Sequence, residues 1–160
     1  MSKPPYTEIE RKFLVADPSW RGQAEGIRYR QGYLAASPGT TVRVRVGGGR
    51  GVMTIKGPPG PSGLSRAEYE FPIPEDQANA IIDDLCGGRV VDKTRYRIDH
   101  AGDLWEVDTF HEAHEGLVLA EIELDAEDQE FAMPPWVGQE VTGDYRYTNA
   151  WLASNKHSGQ

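Results

Sequence analysis

The chain has 160 residues, the size of one domain, and its net charge of -8 with a pI near 5.0 argues against a general nucleic-acid-binding protein. Cys86 is the single cysteine, so an internal disulfide is excluded and a reducing cytoplasm fits. No apolar run approaches the roughly 18 residues that span a membrane, and residues 1–5 lack the apolar core of a signal peptide. We expect one cytoplasmic domain over 1–160, monomeric or homodimeric, with 157–160 as a frayed tail.

Alternating polar and apolar residues predict strands along the first half of the chain. In the first of them, Glu8, Glu10 and Lys12 share one face and Ile9 lies on the other. The glycine-rich residues 47–51 predict a hairpin turn, and the Pro- and Gly-rich residues 57–63 predict a loop. The predicted strands are 6–15, 26–34, 41–46, 52–56 and 66–73.

The second half begins with a predicted helix over 75–86, because Ala78, Ile81, Ile82 and Leu85 form an apolar stripe at helical spacing. Further strands are predicted at 90–98, 104–110 and 117–124. Short helices are predicted at 125–131 and 148–155.

Several short strands with one clear helix predict an antiparallel sheet that curls or closes. Composition alone favours a barrel with an apolar interior and a charged exterior. Like-charged neighbours on one face, such as Arg43 with Arg45 and Glu121 with Glu123, favour the opposite arrangement, in which charged groups converge on a ligand inside. The residue pattern leaves this choice open.

Acidic residues at alternate positions supply candidate metal ligands. Carboxylate oxygens are hard ligands that suit Mg²⁺ or Mn²⁺. The competing interpretation is that such residues merely keep strand edges soluble. The candidates are Glu8, Glu10, Glu121 and Glu123.

Basic residues on the same strands supply candidate phosphate ligands. Arg can bind phosphate through two parallel hydrogen bonds, while Lys acts as a compact charge. The competing interpretation is an exposed strand face paired with neighbouring Glu, and the orientation of Arg11 and Arg97 stays open. The usual glycine-rich nucleotide-binding loops are missing. The candidates are Lys12, Arg43, Arg45, Lys56, Lys93 and Arg95.

The run Glu8-Ile9-Glu10-Arg11-Lys12-Phe13-Leu14 resembles the Glu-x-Glu-x-Lys signature that opens CYTH domains, the triphosphate tunnel metalloenzymes. The similarity continues in order through residues 30–34, 43–45, 54–56, 63–66, 68–70, 93–96, 121–123 and 140–142. The whole chain is most similar to the short bacterial inorganic triphosphatases of this family. The resemblance implies an α+β, mainly antiparallel β fold, in which a closed eight-stranded tunnel has a charged lumen and a few covering helices.

The resemblance also implies roles for individual residues. It places Glu8, Glu10, Glu121 and Glu123 on the divalent metal, with Glu68, Glu70 and Asp108 as possible additional lumen acids. It places Lys12, Arg43, Arg45, Lys56, Arg66, Lys93 and Arg95 on the substrate. Lys12 and Tyr33 match the lysine and tyrosine proposed to activate water.

The resemblance therefore implies Mg²⁺- or Mn²⁺-dependent hydrolysis of inorganic triphosphate to diphosphate and phosphate, by in-line attack of water. The alternatives are a class IV-type adenylate cyclase, a thiamine triphosphatase and a non-catalytic polyphosphate-binding module. We expect a small-molecule triphosphate as the partner, and neither nucleic acid nor a membrane.

Overall fold

The computed structural model describes residues 3–36 and 39–155, so the expected tail at 157–160 lies outside the described residues. Every predicted strand is present, with ends that differ by up to two residues. The strands are β1 Thr7–Val15, β2 Gly26–Ala36, β3 Thr41–Gly47, β4 Arg50–Lys56, β5 Ser65–Ile73, β6 Val90–His100, β7 Asp103–Phe110, β8 Val118–Glu123 and β9 Val137–Glu140. The α-helices are α1 Glu75–Leu85 and α2 Asn149–Ser154.

The strands form one antiparallel sheet that closes on itself. Their order is β5-β4-β3-β2-β6-β7-β8-β1-β9, and β5 also pairs with β1. The eight strands β1 to β8 therefore make a closed barrel, as expected, and β9 is an addition outside the ring. One edge of β1 is divided between two partners, β5 along Thr7–Ile9 and β9 near Phe13 and Val15.

The apolar faces of the strands point away from the barrel interior. Ile9 and Phe13 alternate with the charged residues of β1 and pack on the outside with Trp105 and Ile122. Trp20 and Trp136 belong to the same cluster and cover it. A hydrophobic core thus lies on the outer face of this half of the barrel, where irregular segments of the chain cover it.

Helix α1 covers the outer face of β3 and β4 through a second cluster that includes Val44, Ala78 and Ile82. Two glycines allow this close approach. A Cβ on Gly51 would lie 2.8 Å from Ala78 Cβ, and one on Gly32 would lie 2.6 Å from Cys86 Sγ. Any side chain at these positions would push α1 away from the barrel.

A third cluster lies at one end of the barrel, where the interior changes from charged to apolar. Leu152 and Ala153 of α2 pack with Tyr33, Phe110 and Leu119. The His114 ring bonds through Nε2 to the carbonyl oxygen of Leu152 at 2.6 Å, which fixes α2 from behind. Helix α2 therefore lies across this end.

The predicted helix at 125–131 is wrong, since these residues form a bend and a turn. The Gln129 side chain accepts a hydrogen bond from the Asp125 backbone at 2.7 Å, so it competes with helical bonding in a segment too short to nucleate a helix. Strand β9 was not predicted. Over the described parts of the chain, the helices are too short and too polar to cross a bilayer.

Candidate active site

The barrel encloses a cavity of about 550 Å³. Charged side chains of seven of the eight barrel strands line it, and β2 contributes Tyr29 and Tyr33, so the alternation of the strands turns their ionic face inward. Of the residues expected in the site, those that line the cavity are Glu8, Glu10, Lys12, Tyr33, Arg43, Arg45, Lys56, Arg66, Glu68, Glu70, Lys93, Arg95, Glu121 and Glu123. Asp108 lies behind this lining.

Strand register brings the acidic residues together. Glu10 lies opposite Glu123, and Lys12 lies opposite Glu121, across the β1–β8 pair. Directly opposite residues of an antiparallel pair share a face and stand close together. The two Glu-Ile-Glu segments, separated by more than 100 residues in sequence, therefore meet side by side in the cavity.

Burial, together with Glu121 and Glu8, raises the pKa of Glu10 well above its usual value. Burial alone would also raise the pKa of Glu121, but Lys12, a hydrogen bond from Glu10 and Arg95 hold it well below its usual value. Opposite pKa shifts on these adjacent buried carboxyl groups mark a position that a cation can take.

The two other candidate metal ligands have cationic partners. Glu8 accepts two hydrogen bonds from Lys56 Nζ, at 2.9 and 3.0 Å, and Lys56 lowers the pKa of Glu8 against the effect of burial. Glu123 lies at the rim, where its side chain is 59% exposed and pairs with Lys3 at 2.9 Å. Within residues 3–36 and 39–155, no three His, Cys, Asp or Glu side chains are grouped closely enough to hold a metal unaided.

The donor set nevertheless fits a hard divalent cation, because Glu8, Glu10 and Glu121 interact electrostatically in one buried space. Glu8 would exchange Lys56 for the metal.

The basic wall of the cavity is built around Asp108, which is 1% exposed. Arg95 donates to its two oxygens at 2.7 and 2.8 Å, and Lys93 Nζ donates at 2.9 Å. Against the effect of burial, Arg95 and Lys93 lower the pKa of Asp108 to about 2. Asp108 therefore anchors two cavity-lining cations from behind.

Arg95 also pairs with Glu106 at 3.1 Å and lies 3.7 Å from Glu121, so Lys93 is the less compensated of the two cations. Burial, opposed by Asp108 and reinforced by Arg95, lowers the pKa of Lys93 to about 7. Burial together with Arg43 and Arg95 lowers the pKa of Arg45 to about 9. These shifts mark a region of uncompensated positive charge.

Arg43 extends this region on the next strand. Its Nη2 donates to Thr54 Oγ1 at 2.9 Å and lies 3.9 Å from Glu70. Its Nε is buried without a hydrogen-bond partner in the described part of the chain. A buried, unpaired guanidinium N–H is expensive to keep and is satisfied when an anion binds.

Lys12 and Tyr33, the expected catalytic pair, line the cavity and have different hydrogen-bond partners. Lys12 Nζ donates to the Tyr147 carbonyl at 3.0 Å and lies 3.8 Å from Glu121. Tyr33 Oη accepts from Gln31 Nε2 at 3.0 Å. Crowding by cations, the sequence argument for a lysine base, is found at Lys93 rather than at Lys12.

The remaining lining acids stand beside Lys56 and Thr54. Burial and Glu8 raise the pKa of Glu68 to about 7, and Glu68 lies 3.7 Å from Lys56. Glu70 accepts from Thr54 Oγ1 at 3.2 Å.

The structure also shows the orientation of two arginine side chains that the sequence left open, and it adds two residues to the site. Arg97 lines the cavity and pairs with Glu106 at 3.2 Å, whereas Arg11 lies outside and makes a bidentate pair with Glu140. The additional residues are Gln31, which alternates with Tyr33 and so could have been placed inward, and Asn149 of α2, which no sequence pattern marked.

A family model described as the CYTH domain matches residues 6–150, nearly the whole chain. The chain belongs to the CYTH family. An inorganic triphosphatase from Acetivibrio thermocellus is 46% identical over 150 residues, which cover 94% of this chain and 95% of the relative. An inorganic triphosphatase from Nitrosomonas europaea is 43% identical over 152 residues, covering 92% and 97%.

Solved CYTH-like structures agree with the fold. The crystal structure of the inorganic triphosphatase NE1496 matches with a TM-score of 0.67 and 38% identity, over 92% of this chain and 95% of that one. HpAC1 from Hippeastrum, a putative adenylyl cyclase with a dominant triphosphatase activity, matches with a TM-score of 0.53 and 15% identity, over 74% and 80%. The second likeness shows the fold alone.

Proposed function

We propose that this CYTH protein is a divalent-metal-dependent triphosphatase that hydrolyses inorganic triphosphate to diphosphate and phosphate. The observation that carries the proposal is the buried, undercompensated positive charge of Arg43, Arg45 and Lys93 in an enclosed cavity. A compact polyanion supplies the missing negative charge. The two inorganic triphosphatases named above support the choice of substrate.

The substrate-binding residues are distributed around the barrel wall, so a linear triphosphate meets cations along its length. Arg43, Arg45 and Arg95 present guanidinium groups suited to phosphate oxygens, and Asp108 keeps Arg95 in place. The full proposed set is Lys12, Arg43, Arg45, Lys56, Arg66, Lys93 and Arg95.

Glu8, Glu10, Glu121 and Glu123 would hold Mg²⁺ or Mn²⁺, with Glu68 and Glu70 close by. The metal, when bound, supplies positive charge to phosphoryl oxygens. The positions of these carboxylates determine where the metal would bind. Glu121 also holds Lys12 near the reacting end, through their 3.8 Å ion pair.

In the reaction, a water oxygen forms a bond to the terminal phosphorus while the bond from that phosphorus to the diphosphate oxygen breaks. We propose that Lys12 Nζ takes the proton that water loses and that Tyr33 orients the water. The cavity wall contributes mainly by positioning and by charge compensation, the two terms that phosphoryl transfer requires.

The test is release of phosphate from inorganic triphosphate with Mg²⁺ or Mn²⁺. We expect activity that chelation with EDTA abolishes. Lys12→Ala should lower kcat at least ~10²-fold, because general acid–base groups contribute about that much or more. Arg28→Ala, which breaks an ion pair with Asp92 outside the cavity, is the matched control and should leave kcat near the wild-type value.

The other candidate functions are outcomes of the same assay. Cyclic AMP from ATP with Mn²⁺ would identify a cyclase, and faster turnover of thiamine triphosphate would change the substrate. Tight triphosphate binding without turnover with either metal would contradict hydrolysis and leave a binding module. We further propose a cytoplasmic location, since the buried free thiol of Cys86 suits a reducing compartment.

A further inference from the structure

Gln31 is a fully buried amide at the centre of the charged wall, with 0% of its surface exposed. Its Oε1 accepts from Arg45 Nε at 3.0 Å. Its Nε2 donates to Tyr33 Oη at 3.0 Å and to Asn149 Oδ1 at 3.2 Å. One side chain therefore connects a proposed substrate ligand, a proposed catalytic hydroxyl and the helix that closes the barrel.

The direction of every hydrogen bond around Gln31 is fixed by chemistry. Arg45 Nε can only donate, so the atom of Gln31 that faces it must be the oxygen. The NH₂ group then faces Tyr33 and Asn149, and an amide NH₂ can only donate. The Tyr33 oxygen is consequently an acceptor here, and its own hydroxyl hydrogen is left for a group in the cavity.

Asn149 closes the network from α2. Its Oδ1 accepts from Lys93 Nζ at 2.9 Å as well as from Gln31. The NH₂ of Gln31 can only donate, so the atom of Asn149 that faces it is the oxygen, which also receives the hydrogen bond from Lys93. The first residue of α2 thus completes the amide pair that holds Gln31 in one orientation.

We propose that Gln31, supported by Asn149, is a positioning residue that makes Tyr33 a hydrogen-bond donor toward the reacting water or phosphoryl oxygen and holds Arg45 against the substrate. This inference rests on the proposed triphosphatase function. Gln31 acts through Tyr33 on turnover and through Arg45 on binding. The two effects are separable.

The test is a double-mutant cycle of Gln31→Glu and Tyr33→Phe, with kcat and KM for inorganic triphosphate measured from pH 6 to 9. A carboxylate at position 31 can only accept, so the Tyr33 hydroxyl turns to donate to it. We expect Gln31→Glu to lower kcat about 10-fold or more when Tyr33 is present, and to change kcat little in the Tyr33→Phe background.

The pH profile checks the charge at position 31. The introduced carboxyl faces Arg45 in a region of positive charge, which lowers its pKa, so it stays ionised from pH 6 to 9 and the kcat deficit of Gln31→Glu should be constant over this range. Gln139→Glu, the same change at an exposed site of β9, is the control and should show no kcat deficit.

Calorimetric titration of inorganic triphosphate without metal measures the effect of Gln31 on binding through Arg45 separately from its effect on turnover. The Kd should increase for Gln31→Glu in both the Tyr33 and the Tyr33→Phe backgrounds, because Arg45 then pairs with a carboxylate. Should Gln31→Glu not fold, Gln31→Met repeats the cycle without adding charge, with the same expected dependence of kcat on Tyr33.

Two results overturn the positioning role while leaving the triphosphatase function intact. One is an active wild type in which Gln31→Glu and Gln31→Met lower kcat equally with and without the Tyr33 hydroxyl. The other is a kcat unchanged by either substitution. A wild type that binds triphosphate but never hydrolyses it overturns both proposals.

Discussion

At the residue scale, the charged wall works because each buried cation has a fixed neighbour. Asp108 carries one negative charge and accepts from both Arg95 and Lys93. The sequence placed Asp108 among the lumen acids, and its alternation with Glu106 gave no reason to separate the two. Only the packing of β6 against β7 shows that Asp108 lies behind the lining and faces two cations.

Asp108→Asn should therefore destabilise the fold strongly. Lys93 would lose the carboxylate that it contacts at 2.9 Å and Arg95 would lose its bidentate partner while keeping Glu106, and breaking a buried ion pair from one side costs about 3–5 kcal/mol. Urea unfolding measures the change, and inorganic triphosphate should restore part of the loss by supplying negative charge. Asp92→Asn, which disrupts an exposed pair with Arg28, is the matched control and should change stability little. Equal losses in the two variants would contradict the anchoring role.

At the element scale, the strands and α1 could be predicted because alternation and the helical stripe are local signals. Strand β9 could not, because Gly138 and the flanking prolines give it no alternation and it exists only by pairing with the free part of the β1 edge. The helix at 125–131 was wrongly predicted for the same reason, because tertiary contacts decide the conformation of this segment. Leu124 and Phe131 are both drawn to the outer core around Trp105, which decides the path between them.

The position of the loop at 57–64 depends on contacts with another segment of the chain. Pro59, Gly63 and Leu64 line the cavity. Ser62 donates to Glu127 at 2.8 Å, and Ser65 donates to the same carboxylate oxygen. Glu127, from the segment that was expected to be helical, therefore ties the loop down at the cavity rim.

Glu127→Ala should free this loop without unfolding the barrel. We expect amide hydrogen exchange in peptides covering 57–65 to accelerate roughly 3-fold or more, since two hydrogen bonds are lost. Exchange elsewhere should be unchanged, because the strands keep their pairing. Glu130→Ala, a nearby exposed carboxylate, is the control. An unchanged exchange rate in the loop would show that Glu127 does not hold it.

At the scale of the whole molecule, the net charge of -8 hides a cavity lining in which basic and acidic residues are nearly balanced. About half of the lysines and arginines line the cavity, so the acidic excess lies mostly elsewhere. Keeping these charges buried lowers the free energy of unfolding of the barrel. A bound polyanion relieves that cost.

Inorganic triphosphate without metal should therefore raise Tm and bind with proton uptake at pH 8. The free-state pKa of Lys93 is about 7, so this lysine is mostly neutral at pH 8, and a neighbouring anion raises its pKa and protonates it. At a concentration of 100 Kd, binding adds about 2.7 kcal/mol of stability.

Calorimetry in two buffers of different ionisation enthalpy measures the uptake. Lys93→Met should take up fewer protons, and NaCl at equal ionic strength should raise Tm less than triphosphate does. Proton release, or identical uptake by wild type and Lys93→Met, would contradict this assignment.

The sequence by itself determined which residues share a face, because alternation along a strand is a property of the backbone. It thereby determined the strands and the charged residues that share a face, and the family resemblance implied that this face lines a closed barrel. The tertiary structure decided what depends on distant partners: Asp108 behind the wall, Lys93 rather than Lys12 among the cations, and Gln31 with Asn149 in one network. The Lys93–Asp108 and Gln31–Asn149 hydrogen bonds join residues 15 and 118 positions apart, and no local pattern encodes them.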